Sequence, residues 1–556
     1  MLKYAPVVIA IALFLAFIRL GSFTLFDVDE AVFAQASREM LVNDNWVTPT
    51  YDGHYRFDKP ILIYWLMAAS YKVFGINAFA ARFPSAVAAF LLALAILLFA
   101  GSREREAGFR RGPPGRIAFY TALAFVCSVF FLVYSHAAVT DMVLTLFITL
   151  SLFSFYMTAR GKRGYIYGLY LFSALAFLTK GLIGVVFPFG IAFIYAFIAG
   201  EATYINGISR AGRAHRIWEI WSLPGFLLFL AVGLPWYIAE YMATGGAFIQ
   251  NFFIKQHFTR YLHVISGHTG PIYYYFPVLA VGLFPWIAWL PQGIADAFRR
   301  REGPGLFAFV WLSFVVVFFS FAKTKLPDYV LPAVPAAALL IGAGMDRASG
   351  HTIGGGMELG MGRSGRASNL FAALMAAGLG AGLLLARGYM LKAGVRAGWL
   401  YWAAAPVLLI AVFSISAAAT GKAKYFNLPA AVLMIFFLGV AIFKAVPAAS
   451  EYLQGALYRY SVYAGRNLPA DGVLIGYKIN NPSVVFYSGR HIRGADGPAE
   501  LMADLKGSRP ALIIARTDDA KEVEAAGGPL HMEIKLIASG GNYSLLEKGF
   551  GPAPQK

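Results

Sequence analysis

The feature that most constrains this chain is a recurring length. Apolar segments of roughly 20 residues, the number a helix needs to cross a bilayer, return repeatedly as far as Phe443. We read them at Tyr4–Leu20, Ala80–Ala100, Ile117–Tyr134, Met142–Ala159, Tyr165–Leu178, Ile183–Ile198, Trp221–Tyr241, Ile272–Leu290, Leu306–Ala322, Tyr329–Gly344, Leu370–Ala386, Trp399–Ala419 and Tyr425–Phe443, about thirteen in all. Only 14% of the residues are charged, against about 25% in soluble domains. The pattern defines a polytopic α-helical membrane protein.

A net charge of +18 would suggest nucleic acid if the lysines and arginines formed one patch. They lie instead in short loops: GSREREAGFRRGPPGR after the second segment, ARGKRG after the fourth, SRAGRAHR after the sixth, Arg299–Arg301 after the eighth, and Arg347, Arg363 and Arg366 after the tenth. Cationic loops stay in the cytoplasm, which accounts for the charge and excludes a nucleic-acid partner. The same rule puts the N-terminus inside and the alternate loops outside. The length of the first segment and the lack of a small-residue cleavage site favour an uncleaved anchor over a signal peptide. The single cysteine, Cys127, lies within an apolar run, so no intrachain disulfide is available.

Residues 1–445 therefore read as the transmembrane domain. Its first outer loop, about 22–78, carries two amphipathic stretches suited to the membrane interface, Glu30–Leu41 and Pro60–Val73. From residue 446 the pattern changes. GVLIGYKI, RPALIIAR and MEIKLIASGGNYSLLEK read as strands bounded by Gly, Pro and Asn, with helical stretches near Glu451–Ala464, Ala499–Leu505 and Asp518–Ala526. Residues 446–556 are expected to form a soluble α/β domain on the outer side.

Charge bias alone gathers the unusual polar residues on that outer side. Asp29 and Glu30 follow the first segment in FDVDEAVFA. A carboxylate there either caps the next helix, the reading that suits Asp27, or acts as a base in a partly dehydrated crevice, the reading that suits Asp29. Lys59, Lys180, Arg260, Lys323 and Lys325 either reach for lipid headgroups one by one or converge on a phosphate, with the Tyr329 hydroxyl adding a donor. Asp141 caps a helix or positions a hydroxyl. Asp58 with His257, joined by Glu30, has ligand chemistry compatible with Mg²⁺, Mn²⁺ or Zn²⁺, although no dense ligand spacing occurs. A transporter or lipid flippase would instead place charges near the midplane in paired repeats, and no repeat is visible. A non-catalytic assembly or sensor protein would use the outer domain to bind a partner.

Six stretches occur in an order that resembles a known family: DEAVFAQASREML, NWVTPTYDGHYRFDKPILIYW, LTKG, FFIKQHFTRYLH, GPIYYYFPVLAVGLFPW and KTKLPDYVLPAVPA. They are similar to the ArnT-like bacterial branch of the protein O-mannosyltransferase superfamily, over about residues 1–345. The resemblance implies a GT-C class glycosyltransferase of the inner membrane, with interfacial helices in its first outer loop and a periplasmic C-terminal domain. It implies an undecaprenyl-phosphate sugar as donor and lipid A, a glycolipid or a protein as acceptor. By residue it implies Asp29 as the catalytic acid of the DE motif, with Glu30 beside it and Asp141 matching. Lys59, Lys180, Arg260, Lys323, Lys325 and Tyr329 would meet the lipid phosphate, and Asp58 and His257 a metal. Two departures stand out. Val32 and Phe33 replace an Arg–Tyr pair, and FDKP replaces FEKP; both leave the sugar and acceptor open.

Overall fold

The computed structural model describes residues 4–106, 115–205, 220–253, 269–300, 303–349, 352–353, 357–358, 361–392, 397–506, 509–530 and 532–549. The chain divides into two compact units. The first comprises Met1–Ile18, Phe57–Ile63 and Pro84–Ile442, the second Arg19–Arg56, Tyr64–Phe83 and Phe443–Lys556.

The first unit is helical. Among the described residues, eight helices of the chain are long and apolar enough to cross a membrane, or up to ten if each of two bent pairs is one span. The other three expected segments are the shorter helices Ala5–Phe17, Ile166–Lys180 and Ile183–Ala199, of which the first has 13 residues. At 1.5 Å per residue that is about 20 Å, short of a 30 Å hydrocarbon core. The bends have local causes. Arg116–Val126 and Val129–Ser135 meet at 57°, where the Ser128 hydroxyl accepts the Phe131 amide at 3.1 Å and caps a new helix. Tyr275–Gly282 and Trp286–Arg299 meet at 112° around Pro285, whose ring removes a donor from the helix ladder. Close packing relies on small residues. Helix Val334–Ala348 approaches Arg116–Val126 so nearly that a Cβ on Gly342 would lie 2.0 Å from Thr121 Oγ1. A short antiparallel pair, β3 (Thr352–Ile353) and β4 (Met357–Glu358), completes the unit.

The second unit opens with the first outer loop. Helix Asp29–Val42, with both acids in its first turn, matches the expected Glu30–Leu41; helix Leu62–Phe74 matches Pro60–Val73. Between them β1 (Thr50–Tyr51) and β2 (His54–Tyr55) form a tight hairpin. Its turn runs through Asp52 and Gly53 at φ +52° and +78°. The buried Glu39 carboxylate holds it by accepting from Thr50 Oγ1 at 2.7 Å and from the amides of Asp52 at 2.7 Å and Gly53 at 3.3 Å.

The C-terminal residues of this unit form a five-stranded sheet in the order β6-β5-β7-β9-β8, where β5 is Val473–Tyr477, β6 Ile492–Ala495, β7 Ala511–Arg516, β8 Ile534–Gly540 and β9 Tyr543–Lys548. β5 runs parallel to β6 and β7, and β9 antiparallel to β7 and β8. Successive residues of β5 and β7 feed opposite cores. Ile475, Tyr477 and Ile513 pack with Leu501, Leu505 and Val523; Leu474, Leu512 and Ile514 pack with Leu457, Tyr460 and Val484. Burial on both faces is why these strands read as unbroken apolar runs.

Candidate active site

In the second unit, Glu30 and Asp29 are neighbours with opposite environments. Glu30 is 6% exposed and engages the fully buried Arg82 through two bonds, Nε to Oε1 at 2.9 Å and Nη2 to Oε2 at 2.8 Å. The remaining donors of that guanidinium go to the carbonyls of Leu20, Phe23 and Thr24 at 3.2, 3.0 and 2.8 Å, which satisfies all five of its N–H groups. Glu30 Oε2 also accepts the Phe26 amide at 2.8 Å. The Glu30 carboxylate, read from sequence as catalytic, is thus occupied in fixing the turn before the helix. Asp29, the first residue of that helix, is exposed.

Asp27 does not cap the helix that follows it. Its Oδ1 accepts the Ser483 amide at 2.8 Å, and its Oδ2 accepts from Ser483 Oγ, Asn481 Nδ2 and Gln454 Nε2 at 2.6, 3.0 and 2.7 Å.

In the first unit the structure brings together Asp141, Lys180, Asp328 and Tyr329. Lys180, the last residue of helix Ile166–Lys180, donates to Asp141 at the start of helix Asp141–Ala159. It also lies 3.5 Å from Asp328 Oδ2 and 5.4 Å from the centroid of the Tyr329 ring. Asp141 lies in the first turn of its helix, but its carboxylate serves Lys180 rather than a backbone amide. Tyr329 packs against Phe319 at 4.9 Å between ring centroids.

Lys325 behaves differently from the phosphate ligand the sequence suggests. It is 5% exposed, and its ammonium donates to the carbonyls of Phe319, Ser320 and Ala322 at 3.4, 2.7 and 2.9 Å. Three protons meet three acceptors at the end of helix Gly303–Phe321. Burial, and after it the charge of Lys323, holds the Lys325 ammonium below its usual pKa. Lys323 itself is exposed. Asp58 and Lys59 are half-buried beside Phe57, whose ring meets Phe248 edge-on at 5.9 Å.

Residues 58–207 match the family described as dolichyl-phosphate-mannose-protein mannosyltransferase. The fold resembles the crystal structure of ArnT from Cupriavidus metallidurans bound to undecaprenyl phosphate, with a TM-score of 0.75, 22% identity and 98% of each chain covered. The chain has the ArnT fold. The undecaprenyl phosphate-α-4-amino-4-deoxy-L-arabinose arabinosyl transferases of Edwardsiella ictaluri and Yersinia enterocolitica are 30% and 32% identical to it, over 59% and 60% of this chain. The chain spans 56% and 58% of those relatives' own lengths.

Its apolar helices make it a multi-pass membrane protein. Among the described residues no group of three or more His, Cys, Asp or Glu side chains has metal-holding geometry, and Asp58 alone supplies one carboxylate. His257 and Arg260 lie outside the described residues. Sequence reasoning also passed over two residues. Arg82 was visible as an arginine inside an apolar run, where a charge needs a partner. Asp328 stood in the KLPDY stretch, overshadowed by its lysines and tyrosine.

Proposed function

We propose that this chain is an inverting glycosyltransferase that moves a sugar from an undecaprenyl-phosphate donor to an envelope acceptor, on the outer face of the bacterial inner membrane. The observation that carries the reading is 32% identity over 350 residues with the Yersinia enterocolitica aminoarabinosyl transferase. The aminoarabinose donor is the first to test, and lipid A, a glycolipid or a protein the acceptor. The N-terminus is cytoplasmic and the sheet domain of residues 446–556 periplasmic, because alternate loops of residues 1–445 carry the Lys and Arg clusters.

The acceptor oxygen attacks the anomeric carbon, and the bond from that carbon to the phosphate oxygen breaks with inversion. The electron pair leaves on undecaprenyl phosphate, and the acceptor proton passes to Asp29. The exposed carboxylate of Asp29 suits this task better than Glu30, which is saturated by Arg82. Such general-base help is worth about 10²–10⁴-fold. Lys59, Arg260, Lys323 and the Tyr329 hydroxyl stabilise the departing phosphate, since fixed donors aimed at developing charge lower the barrier. Lys180 and Asp141 align one another, and Lys325 holds the segment that carries Lys323 and Tyr329.

The test is transfer from radiolabelled undecaprenyl-phosphate sugars in membranes carrying Asp29→Asn. A rate at least about 100-fold below wild type is expected. Undiminished transfer would remove Asp29 from the chemistry.

A further inference from the structure

The sequence leaves the C-terminal sheet domain without a task. We propose that this domain is the seat of the loop that presents Asp29, and that Asp27 is the positioning residue of that seat. The inference rests on the reading of Asp29 given above.

Nearly every residue before Asp29 is tied down within the second unit. Thr24 meets Ser450, its amide at 3.2 Å and its hydroxyl at 2.7 Å from Ser450 Oγ. The Leu25 amide donates to Tyr487 Oη at 2.7 Å. Burial pushes that phenol up to about 12, so it is neutral at working pH. Asp27 accepts four hydrogen bonds from Gln454, Asn481 and Ser483. Further along the helix, Arg38 donates to the Phe486 carbonyl at 2.9 Å. On the other side, Glu30 is locked to Arg82. Between these two anchors lie Val28, 62% exposed, and the exposed Asp29.

The arrangement is that of a short bridge between two fixed piers. A carboxylate that must meet an acceptor hydroxyl gains from such fixing, because misplacement of a reacting group by about 1 Å can cost 10²-fold in rate. Five of the piers' residues, Ser450, Gln454, Asn481, Ser483 and Tyr487, come from the C-terminal domain and touch the loop by side chain. A domain that merely packed against the loop would not place four donors on one carboxylate two positions from the exposed acid.

The experiment uses the full-length protein in nanodiscs with Asp27→Asn, which keeps the shape but loses the charge and one acceptor. Hydrogen–deuterium exchange is followed over residues 24–33, together with transfer from undecaprenyl-phosphate aminoarabinose. We expect faster exchange in that segment, kcat lower by about 10- to 100-fold and KM for the donor within about twofold. Unchanged exchange, or wild-type kcat in Asp27→Asn where Asp29→Asn is inactive, overturns the proposal. Should Asp27→Asn fail to fold, Tyr487→Phe cuts the Leu25 tie alone and is expected to raise exchange with a smaller loss of kcat. Should Asp29→Asn prove fully active while Asp27→Asn exchanges faster, the seat stands and the catalytic role of Asp29 falls.

Discussion

The carboxylate of Asp27 and Ser483, 456 positions apart in the chain, are joined by two hydrogen bonds, from the amide at 2.8 Å and from the hydroxyl at 2.6 Å. Ser483→Ala removes the second bond and leaves the first. The loss of one bond to a charged group is expected to lower unfolding stability by about 1.5–3 kcal/mol. Chemical denaturation of the purified protein, followed by fluorescence, measures it.

The Arg82–Glu30 pair predicts a larger effect. Arg82→Met strands a buried carboxylate and three backbone carbonyls, and breaking such a pair costs about 3–5 kcal/mol. The double variant with Glu30→Gln removes the stranded charge and should recover part of that loss. A midpoint for the double variant at or below that of Arg82→Met would show that the carboxylate needs no partner.

Lys323 and Lys325 should separate on binding. The Lys325 ammonium is committed to a helix end, so Lys325→Met should lower the melting midpoint more than it weakens binding of undecaprenyl phosphate. Lys323→Met should do the reverse. Calorimetric titration with undecaprenyl phosphate alongside thermal scans distinguishes the two.

Lys180 stands between two acids. Lys180→Met leaves Asp141 and Asp328 facing each other with no ammonium and should abolish most transfer, by about 10²-fold or more. Asp328→Asn keeps the Lys180–Asp141 pair and should cost less. Equal losses would place Asp328 in the same role as Asp141. Initial rates with saturating donor make the comparison.

Lys548 supplies a pH dependence. Its ammonium is buried against the carbonyls of Leu505 and Arg509 at 2.9 and 3.3 Å, and burial lowers its pKa from the usual 10.5. Between the lowered value and 10.5 the unfolded chain binds more protons, so stability rises with pH. The cost of burying the charge is full below the folded pKa and gone above the unfolded one. The difference in melting midpoint between wild type and Lys548→Met should therefore shift in favour of wild type as pH increases through this alkaline window. A difference constant with pH would show that Lys548 titrates as if unfolded.

The helical spans and the three apolar strand regions were legible because their periods and lengths are set by burial within the element itself. The edge strand β6 was not, since IRGA places an arginine and a glycine among four residues and half of it is exposed. The bends at Ser128 and Pro285 were not read either; a cap inside an apolar run resembles any serine until its hydroxyl meets an amide. The acids of the first loop were found, but their division was not. Whether Glu30 is reactive or structural depends on Arg82, a residue 52 positions away, and no local pattern reports a partner at that distance. For Asp27 the helix-cap expectation failed for the same reason.

The anchoring of Asp27 bears on how such chains can be inherited. Its donors Gln454, Asn481 and Ser483 all lie beyond residue 446, so the tail is not an interchangeable cassette. Recombination at that seam would hand the membrane portion a tail with no receptor for its loop unless those donors arrived too. Chimeras with the tail of a relative should transfer sugar only when equivalents of the three donors are grafted with it. The chain is thus bound to evolve as one unit, even though its composition changes abruptly near that seam.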